Sequence, residues 1–534
     1  MKPLTLTVAT DIHYYSEENG SSGKAYDSAD YKSQKLLSGA AEVLRTMCDQ
    51  IVADSRSDIL IISGDTTNNG EMNAHREVID LLRSVKERGK QVYVITATHD
   101  FKGNGEAAAY RGDEKITTPA ATRDMLFDLY REFGPDQALA VHRESMSYVV
   151  QLADGYRLFA LNDDTNRSGK SGFSDECFDW ITTQVMKARA EEQFIIAMTH
   201  HPLIAPSPVY ELIGKGDMLG DYDRRIQQLA DLGVQFMFTG HTHIHNISAY
   251  QSPQGNVLYD ICAASPIGYP GVFRTVTFRP DDGVVHVETD YVQEPESYKK
   301  DKKTLRDRLS YQMVGVIREM IEVAGKDIDR FADMATAISI KPKVIYRFGW
   351  ILKPLFKFLN SLKVGTVGAW TKKETGLKKE DWADIKDRKV VDIITELVLN
   401  LYAGESNYPP DTATYKITMG LMSIVDSLLR VLHIDLKKIL KVVPDASSLV
   451  EPLLYNAKID AYTADLTIYD HCEAGEQGRP LPAPQKQVTV KKSKKGLPIL
   501  ICALLILLAF LPVWLLLLLF GFVKNQIRYG KKMK

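Results

Sequence analysis

Short apolar runs rich in branched and aromatic residues recur through the first half of the chain: Leu4 to Ala9, Ile59 to Ile62, Val92 to Ile95, Phe194 to Met198 and Phe236 to Phe238. Runs of this length and composition predict buried strands. Between them lie longer stretches with apolar residues at helical spacing, such as Ser33 to Ala53 and Met72 to Glu87. Alternation of strand and helix predicts a layered α/β fold, and in such folds ligands collect at the carboxyl ends of the strands.

From about Ser297 to Ala461 the pattern is helical instead, as in Leu305 to Phe331, Val390 to Tyr402 and Ile417 to Val443. One stretch, Val344 to Leu362, places Phe348, Leu352, Leu355, Leu359 and Leu362 at helical spacing among Arg347, Lys353 and Lys357, with Trp350 between and Pro354 as a kink or break. Such a face packs on the rest of a helical domain or lies on an anionic membrane surface. Gly475 to Lys495, with Pro480, Pro482 and Pro484, reads as a flexible linker. Leu497 to Val523 then runs for 27 residues without a charge. At about 1.5 Å per helical residue it exceeds a hydrocarbon core of about 30 Å, so a transmembrane helix is expected.

Five lysines before that span (Lys486, Lys491, Lys492, Lys494, Lys495) face five basic residues after it (Lys524, Arg528, Lys531, Lys532, Lys534), so the positive-inside rule does not orient it. No apolar leader precedes the first strand, and on that ground the expectation is a single-pass cell-membrane protein with its amino half in the cytoplasm. The formal net charge of −2 gives no electrostatic case for a nucleic-acid partner. The five scattered cysteines suit a reducing compartment.

The chemistry lies directly after the predicted strands. There the chain reads Asp11-Ile12-His13, Gly64-Asp65, Thr98-His99-Asp100, His200-His201-Pro202 and Gly240-His241-Thr242-His243. Any one of these residues has an ordinary structural reading, as a cap, a turn or a satisfied histidine. Together they bring carboxylates and imidazoles, the ligands of borderline-hard divalent metals, to separate strand ends. Asn68 and Asn69 follow Gly64-Asp65 either as a loop toward the metals or as a plain turn. His201 and His245 are read as structural neighbours of the ligands.

This ordered set resembles the calcineurin-like metallophosphoesterases, which include class III cyclic-nucleotide phosphodiesterases, over about residues 1 to 295. The resemblance implies a four-layer α/β/β/α sandwich and two divalent metal ions, Mn, Fe or Zn with Mn favoured. It implies Asp11, His13 and His243 as ligands of the first ion, Asp65 as the carboxylate bridging both, His200 and His241 as ligands of the second, and His99 as general acid; Asp100, adjacent to His99, is expected on chemical grounds to orient it and raise its proton affinity. A pair of such ions clamps phosphoryl oxygens and lowers the pKa of a bound water until it is hydroxide near neutral pH. The family's third motif carries an asparagine ligand before the histidine, whereas this chain has Ala97-Thr98. The Thr98 hydroxyl reaches less far, so the second metal site is expected to be weak, and Ala97 is expected to deny the turn a glycine's freedom.

The expected organisation is therefore a metallophosphoesterase domain at 1–295, an all-α domain at 296–473, a basic linker at 474–496, one transmembrane helix at 497–523 and a basic tail at 524–534. The expected function is metal-dependent hydrolysis of a small-molecule phosphate ester, specifically a phosphodiester. The alternative is a membrane-tethered binding or scaffold protein with a degenerate metal site. Pocket walls from loops such as Phe101 to Thr118 and Ser207 to Asp221 leave the substrate open.

Overall fold

A computed structural model describes residues 1–473 and 481, apart from 32, 165–170, 208–209, 212–214, 337–341, 344–345, 347–355, 359, 406, 432, 434, 441–442 and 456–458. The strands in chain order are β1 (Leu4–Ala9), β2 (Ile59–Ser63), β3 (Gln91–Ile95), β4 (Glu106–Arg111), β5 (Glu114–Pro119), β6 (Ala140–His142), β7 (Ser147–Ala153), β8 (Tyr156–Ala160), β9 (Phe194–Met198), β10 (Phe236–Thr239), β11 (Asn246–Gln251), β12 (Val257–Cys262), β13 (Val272–Arg279), β14 (Val284–Tyr291) and β15 (Thr463–Thr467). One sheet has the order β15-β14-β13-β1-β2-β3, and a second has β11-β12-β10-β9-β8-β7-β6, while β4 and β5 form a separate hairpin.

The continuous apolar runs are explained by burial on both faces. In β2, Ile59 and Ile61 enter the core between the sheets, while Leu60 and Ile62 turn outward beneath helices. In β9, Ile196 and Met198 enter the same central core, and Ile195 and Ala197 face the opposite outer layer. Since successive side chains of a strand alternate faces, a strand covered on both sides must be apolar throughout. Helices Ala40–Ala53 and Met72–Glu87 cover the first sheet, and Asp175–Ala190 and Tyr222–Leu232 cover the second. The result is four layers, α/β/β/α. The central strands pair in parallel, β1 with β2, β2 with β3, β8 with β9 and β9 with β10, so their carboxyl ends lie at one edge.

The helix expected over Ser33 to Ala53 begins only at Ala40. Lys35 is instead held in extended backbone by a bridge to Gly268, and Leu36 N–H donates to Ile267 O at 2.7 Å.

The described residues between β14 and β15 form helices, including Leu305–Lys326, Val390–Ala403, Ala413–Val431 and Ala446–Leu454. The stretch 296–473 is nevertheless not purely helical. Thr463–Thr467 alternates in period two, turns Ala464 and Leu466 into the inter-sheet core, and pairs antiparallel with β14. The buried guanidinium of Arg274 on β13 secures this return by donating to Ala461 O at 2.6 Å, Cys262 O at 2.8 Å and Asn246 O at 3.2 Å. Helix Val390–Ala403 also reaches the first domain, where Tyr402 O accepts from His245 N–H at 2.8 Å. The helical part is thus built onto the sandwich. The stretch Val344 to Leu362 lies mostly, and the expected span 497–523 with the tail 524–534 wholly, outside the described residues, as does 474–496 apart from residue 481. Among the described residues no helix is long and apolar enough to cross a membrane.

Candidate metal centre

Five of the six proposed ligands hold left-handed backbone conformations: Asp11 (φ 50°), His13 (φ 41°), Asp65 (φ 53°), His241 (φ 65°) and His243 (φ 55°). Such conformations in residues other than glycine cost about 1–3 kcal/mol each and persist where the surroundings over-determine them. Here the tight turns leaving β1, β2 and β10 aim these side chains back across the sheet edge. The glycines beside them have no room for a side chain: a Cβ on Gly64 would stand 2.6 Å from His200 Nδ1, and one on Gly240 would stand 2.4 Å from Asp11 Oδ2.

The six side chains fall into two sets. In the first, His243 Nε2 lies 3.3 Å and His13 Nε2 3.6 Å from Asp11 Oδ1, and the two imidazole nitrogens are 3.0 Å apart. In the second, His200 Nε2 is 3.2 Å from Asp65 Oδ2 and 3.3 Å from His241 Nδ1. The same Asp65 oxygen is 3.8 Å from His13 Nε2, so Asp65 belongs to both sets.

The donor chemistry fits cations. His200 Nδ1–H donates to Ser63 O at 2.8 Å, which leaves the Nε2 lone pair facing the carboxylate of Asp65. Asp11 Oδ1 is buried without a hydrogen bond although three imidazoles surround it. Lone pairs converging this closely need a positive charge among them. Where protons rather than cations sit among these groups, burial opposes ionisation of Asp11 but His243, His13 and His200 outweigh it and hold the carboxyl well below its usual range. Burial likewise opposes ionisation of Asp65 and is outweighed by His200 and His99.

His99 stands beside the first set, its ring edge-on to His13 with centroids 4.8 Å apart. Its backbone N–H donates to Asp65 Oδ1 at 2.8 Å, and its Nδ1–H donates to Asn68 O at 2.6 Å. The orienting group of His99 is therefore a backbone carbonyl, and the expectation for Asp100 is corrected. Asp100 Oδ1 accepts from Thr66 Oγ1 at 2.6 Å and Thr67 N–H at 2.8 Å, and its Oδ2 accepts from Ala97 N–H at 2.8 Å. This buried carboxylate ties the loop after β2 to the loop after β3 and acts on the site only through them.

Thr98 Oγ1 is buried and makes no hydrogen bond, which fits a hydroxyl standing where a longer ligand would reach further. The expectation about Ala97 does not hold, because Ala97 is not among the residues with positive φ. Its N–H and C=O both bond Asp100 instead. Replacing Thr98 by asparagine should supply an amide oxygen to the second set without straining the turn. In a Mn²⁺ titration of activity, Thr98→Asn is expected to lower the half-saturating concentration by about tenfold or more, since even indirect partners of a ligand matter about 10–100-fold. An unmoved or weakened titration would show that Thr98 already completes the site.

Two lysines are absent from the motif set. Lys35 Nζ lies 3.3 Å from His13 Nδ1, and burial pulls its amine down to about 8. Lys102 Nζ donates to Asn69 Oδ1 at 3.2 Å. Burial and the charge of Lys35 together hold the proton affinity of His99 well below the usual imidazole range. His245 bonds Thr289 Oγ1 at 2.8 Å, away from both sets, and His201 pairs with Asp163.

Residues 4–245 match the family model described as calcineurin-like phosphoesterase. A probable cyclic nucleotide phosphodiesterase from Rhodococcus erythropolis is 24% identical over 242 residues, covering 45% of this chain and 66% of that protein, just under two thirds. Among solved structures, a dimetal phosphatase from Danio rerio is 13% identical, with a TM-score of 0.37, over 54% of this chain and 95% of its own. A purple acid phosphatase from yellow lupin (Lupinus luteus) is 14% identical, with a TM-score of 0.33, over 57% of this chain and 52% of its own.

Proposed function

We propose, for a chain whose residues 4–245 match the calcineurin-like phosphoesterase family model, a metal-dependent hydrolase of phosphate esters whose substrates are phosphodiesters. The observation that carries this reading is the convergence of Asp11, His13 and His243, and of Asp65, His200 and His241, into two ligand sets that share one carboxylate oxygen. The likeness to the Rhodococcus protein, a probable cyclic nucleotide phosphodiesterase, supports the choice of diesters.

Asp11, Asp65 and the four imidazoles would hold two divalent cations, Mn²⁺ being suited to this mixture of carboxylate and imidazole. Such a pair supplies charge to clamp a phosphoryl group and makes water a competent nucleophile. The remaining work falls to the chain. Asn68 O fixes the tautomer of His99, keeping Nδ1 protonated and leaving Nε2 to exchange a proton with the ester. Burial and the charge of Lys35 hold the proton affinity of His99 down, and an anionic ester beside it would raise that affinity. His99 can then deliver a proton to the departing alkoxide. The apolar stretch 497–523 supports attachment of this hydrolase to a membrane.

The test is turnover of bis(p-nitrophenyl) phosphate and p-nitrophenyl phosphate by the detergent-solubilised full chain with added Mn²⁺. Hydrolysis of the diester is expected to exceed that of the monoester and to vanish with a chelator. Metal retention without turnover of either ester would favour the binding-protein reading instead.

A further inference from the structure

Among the described residues, apart from the six proposed ligands and His99, one more cluster of ligating side chains lies buried at the same edge of the sandwich. Asp163 and Asp164 follow β8, and His201 follows β9, its parallel neighbour. One potential ligand atom from each of the three lies within 4.8 Å of the others. Their exposures are 0%, 9% and 3%. Asp163 Oδ2 accepts from His201 N–H at 2.8 Å and lies 3.0 Å from His201 Nδ1. The other Asp163 oxygen, Oδ1, and Asp164 Oδ2 are both buried with no hydrogen bond.

Two adjacent buried carboxylates repel each other, and an anionic oxygen without a donor loses its hydration uncompensated. One imidazole cannot answer both. The backbone that carries the acids is itself anchored. Asp164 N–H donates to Asn162 Oδ1 at 2.9 Å, Asp164 O accepts from Arg123 Nε at 2.8 Å, and Asn162 is itself held by Thr96 O at 2.9 Å.

We propose that Asp163, Asp164 and His201 form a third divalent-cation site, separate from the two sets around Asp65. Two carboxylates and one imidazole suit a hard to borderline cation such as Mn²⁺. The 3.0 Å between Asp163 Oδ2 and His201 Nδ1 is also the spacing of neighbouring ligands at right angles about 2.1 Å from one ion, so a cation can replace the proton now shared there. The site would act as a positioning element. The His201 ring faces that of His241 with centroids 4.0 Å apart, so an ion that fixes His201 fixes one wall of the second ligand set.

This inference rests on the cluster and not on the hydrolase reading, and binding measurements separate the two. The full chain carrying Asp11→Asn and Asp65→Asn, equilibrated with Mn²⁺ and desalted, is expected to retain one equivalent by elemental analysis. Adding Asp164→Asn, an isosteric change, should remove it. In the otherwise native chain, Asp164→Asn should lower Mn²⁺ content by one equivalent and shrink the Mn²⁺-induced rise in melting temperature. Equal Mn²⁺ content in the native chain and in Asp164→Asn overturns the proposal, whether or not either protein hydrolyses an ester. Should the triple variant misfold by circular dichroism, the native-background pair decides alone.

Discussion

Asp65→Asn is expected to abolish hydrolysis, lowering kcat/KM for bis(p-nitrophenyl) phosphate at least ~10³-fold. Asp65 Oδ2 lies between imidazoles of both sets, 3.8 Å from His13 Nε2 and 3.2 Å from His200 Nε2, whereas Asp11 Oδ1 stands 3.9 Å from His200 Nε2 and sits mainly with the first set. Its other oxygen accepts the backbone N–H of His99 at 2.8 Å, so the residue also sets the height of the proposed acid. An amide keeps one acceptor and loses the charge, and its NH₂ turned toward either set would oppose a cation there. Metal clamping is worth several kcal/mol of transition-state stabilisation, and each 1.36 kcal/mol is tenfold in rate. Elemental analysis should show reduced metal in parallel. Activity within tenfold of the native chain, at full metal content, would remove Asp65 from the bridging position and with it the shared-carboxylate arrangement.

The residues that sequence made legible share one physical property. Asp11, His13, Asp65, His200, His241 and His243 each follow, within a few positions, an apolar run buried on both faces, so the run fixes where the polar side chain must emerge. The left-handed turns that aim five of them left a trace only in the neighbouring glycines, Gly64 and Gly240, whose hydrogens fill space that a methyl would contest. What stayed illegible depends on backbone atoms or on distant segments. Asn68 works through its carbonyl, which no side-chain pattern reports. Asp100 is adjacent to His99 in sequence, yet its oxygens are claimed by Thr66, Thr67 and Ala97. Lys35 reaches His13 because its segment is drawn out beside Gly268 rather than coiled into the following helix.

The strand Thr463–Thr467 shows the same limit on a larger scale. Its alternation is plain over five residues, but a single short run has no partner in the local sequence. It becomes a strand because Arg274, almost 190 positions earlier, gathers Ala461 O, Cys262 O and Asn246 O around one buried guanidinium. Placing a fully buried cation on three carbonyls is worthwhile only if all three are delivered together. The edge strand, the end of the helical region and the strand following the His241–His243 loop therefore depend on one another, and a boundary at residue 295 divides the sequence pattern but not the packing.

His99→Ala should separate substrates by their leaving groups. If His99 delivers the proton to the departing oxygen, its loss removes a step worth ~10²–10⁴-fold for an alkyl ester, whose alkoxide leaves poorly without a proton. A nitrophenyl ester needs little such help, because its leaving group is already a stable anion, and its rate should fall by less than about tenfold on the same reasoning. The geometry makes this selectivity readable. His99 is tied to the rest of the site by its backbone N–H to Asp65 Oδ1, which alanine retains, and by its ring Nδ1–H to Asn68 O, which alanine lacks. Metal affinity should then be largely preserved in a Mn²⁺ titration, while the ratio of kcat for a methyl or nucleoside diester to kcat for bis(p-nitrophenyl) phosphate drops by two orders of magnitude or more. Equal losses on both esters, accompanied by weaker Mn²⁺ binding, would instead place His99 among the ligands of the first set, where its ring already stands 4.8 Å from that of His13.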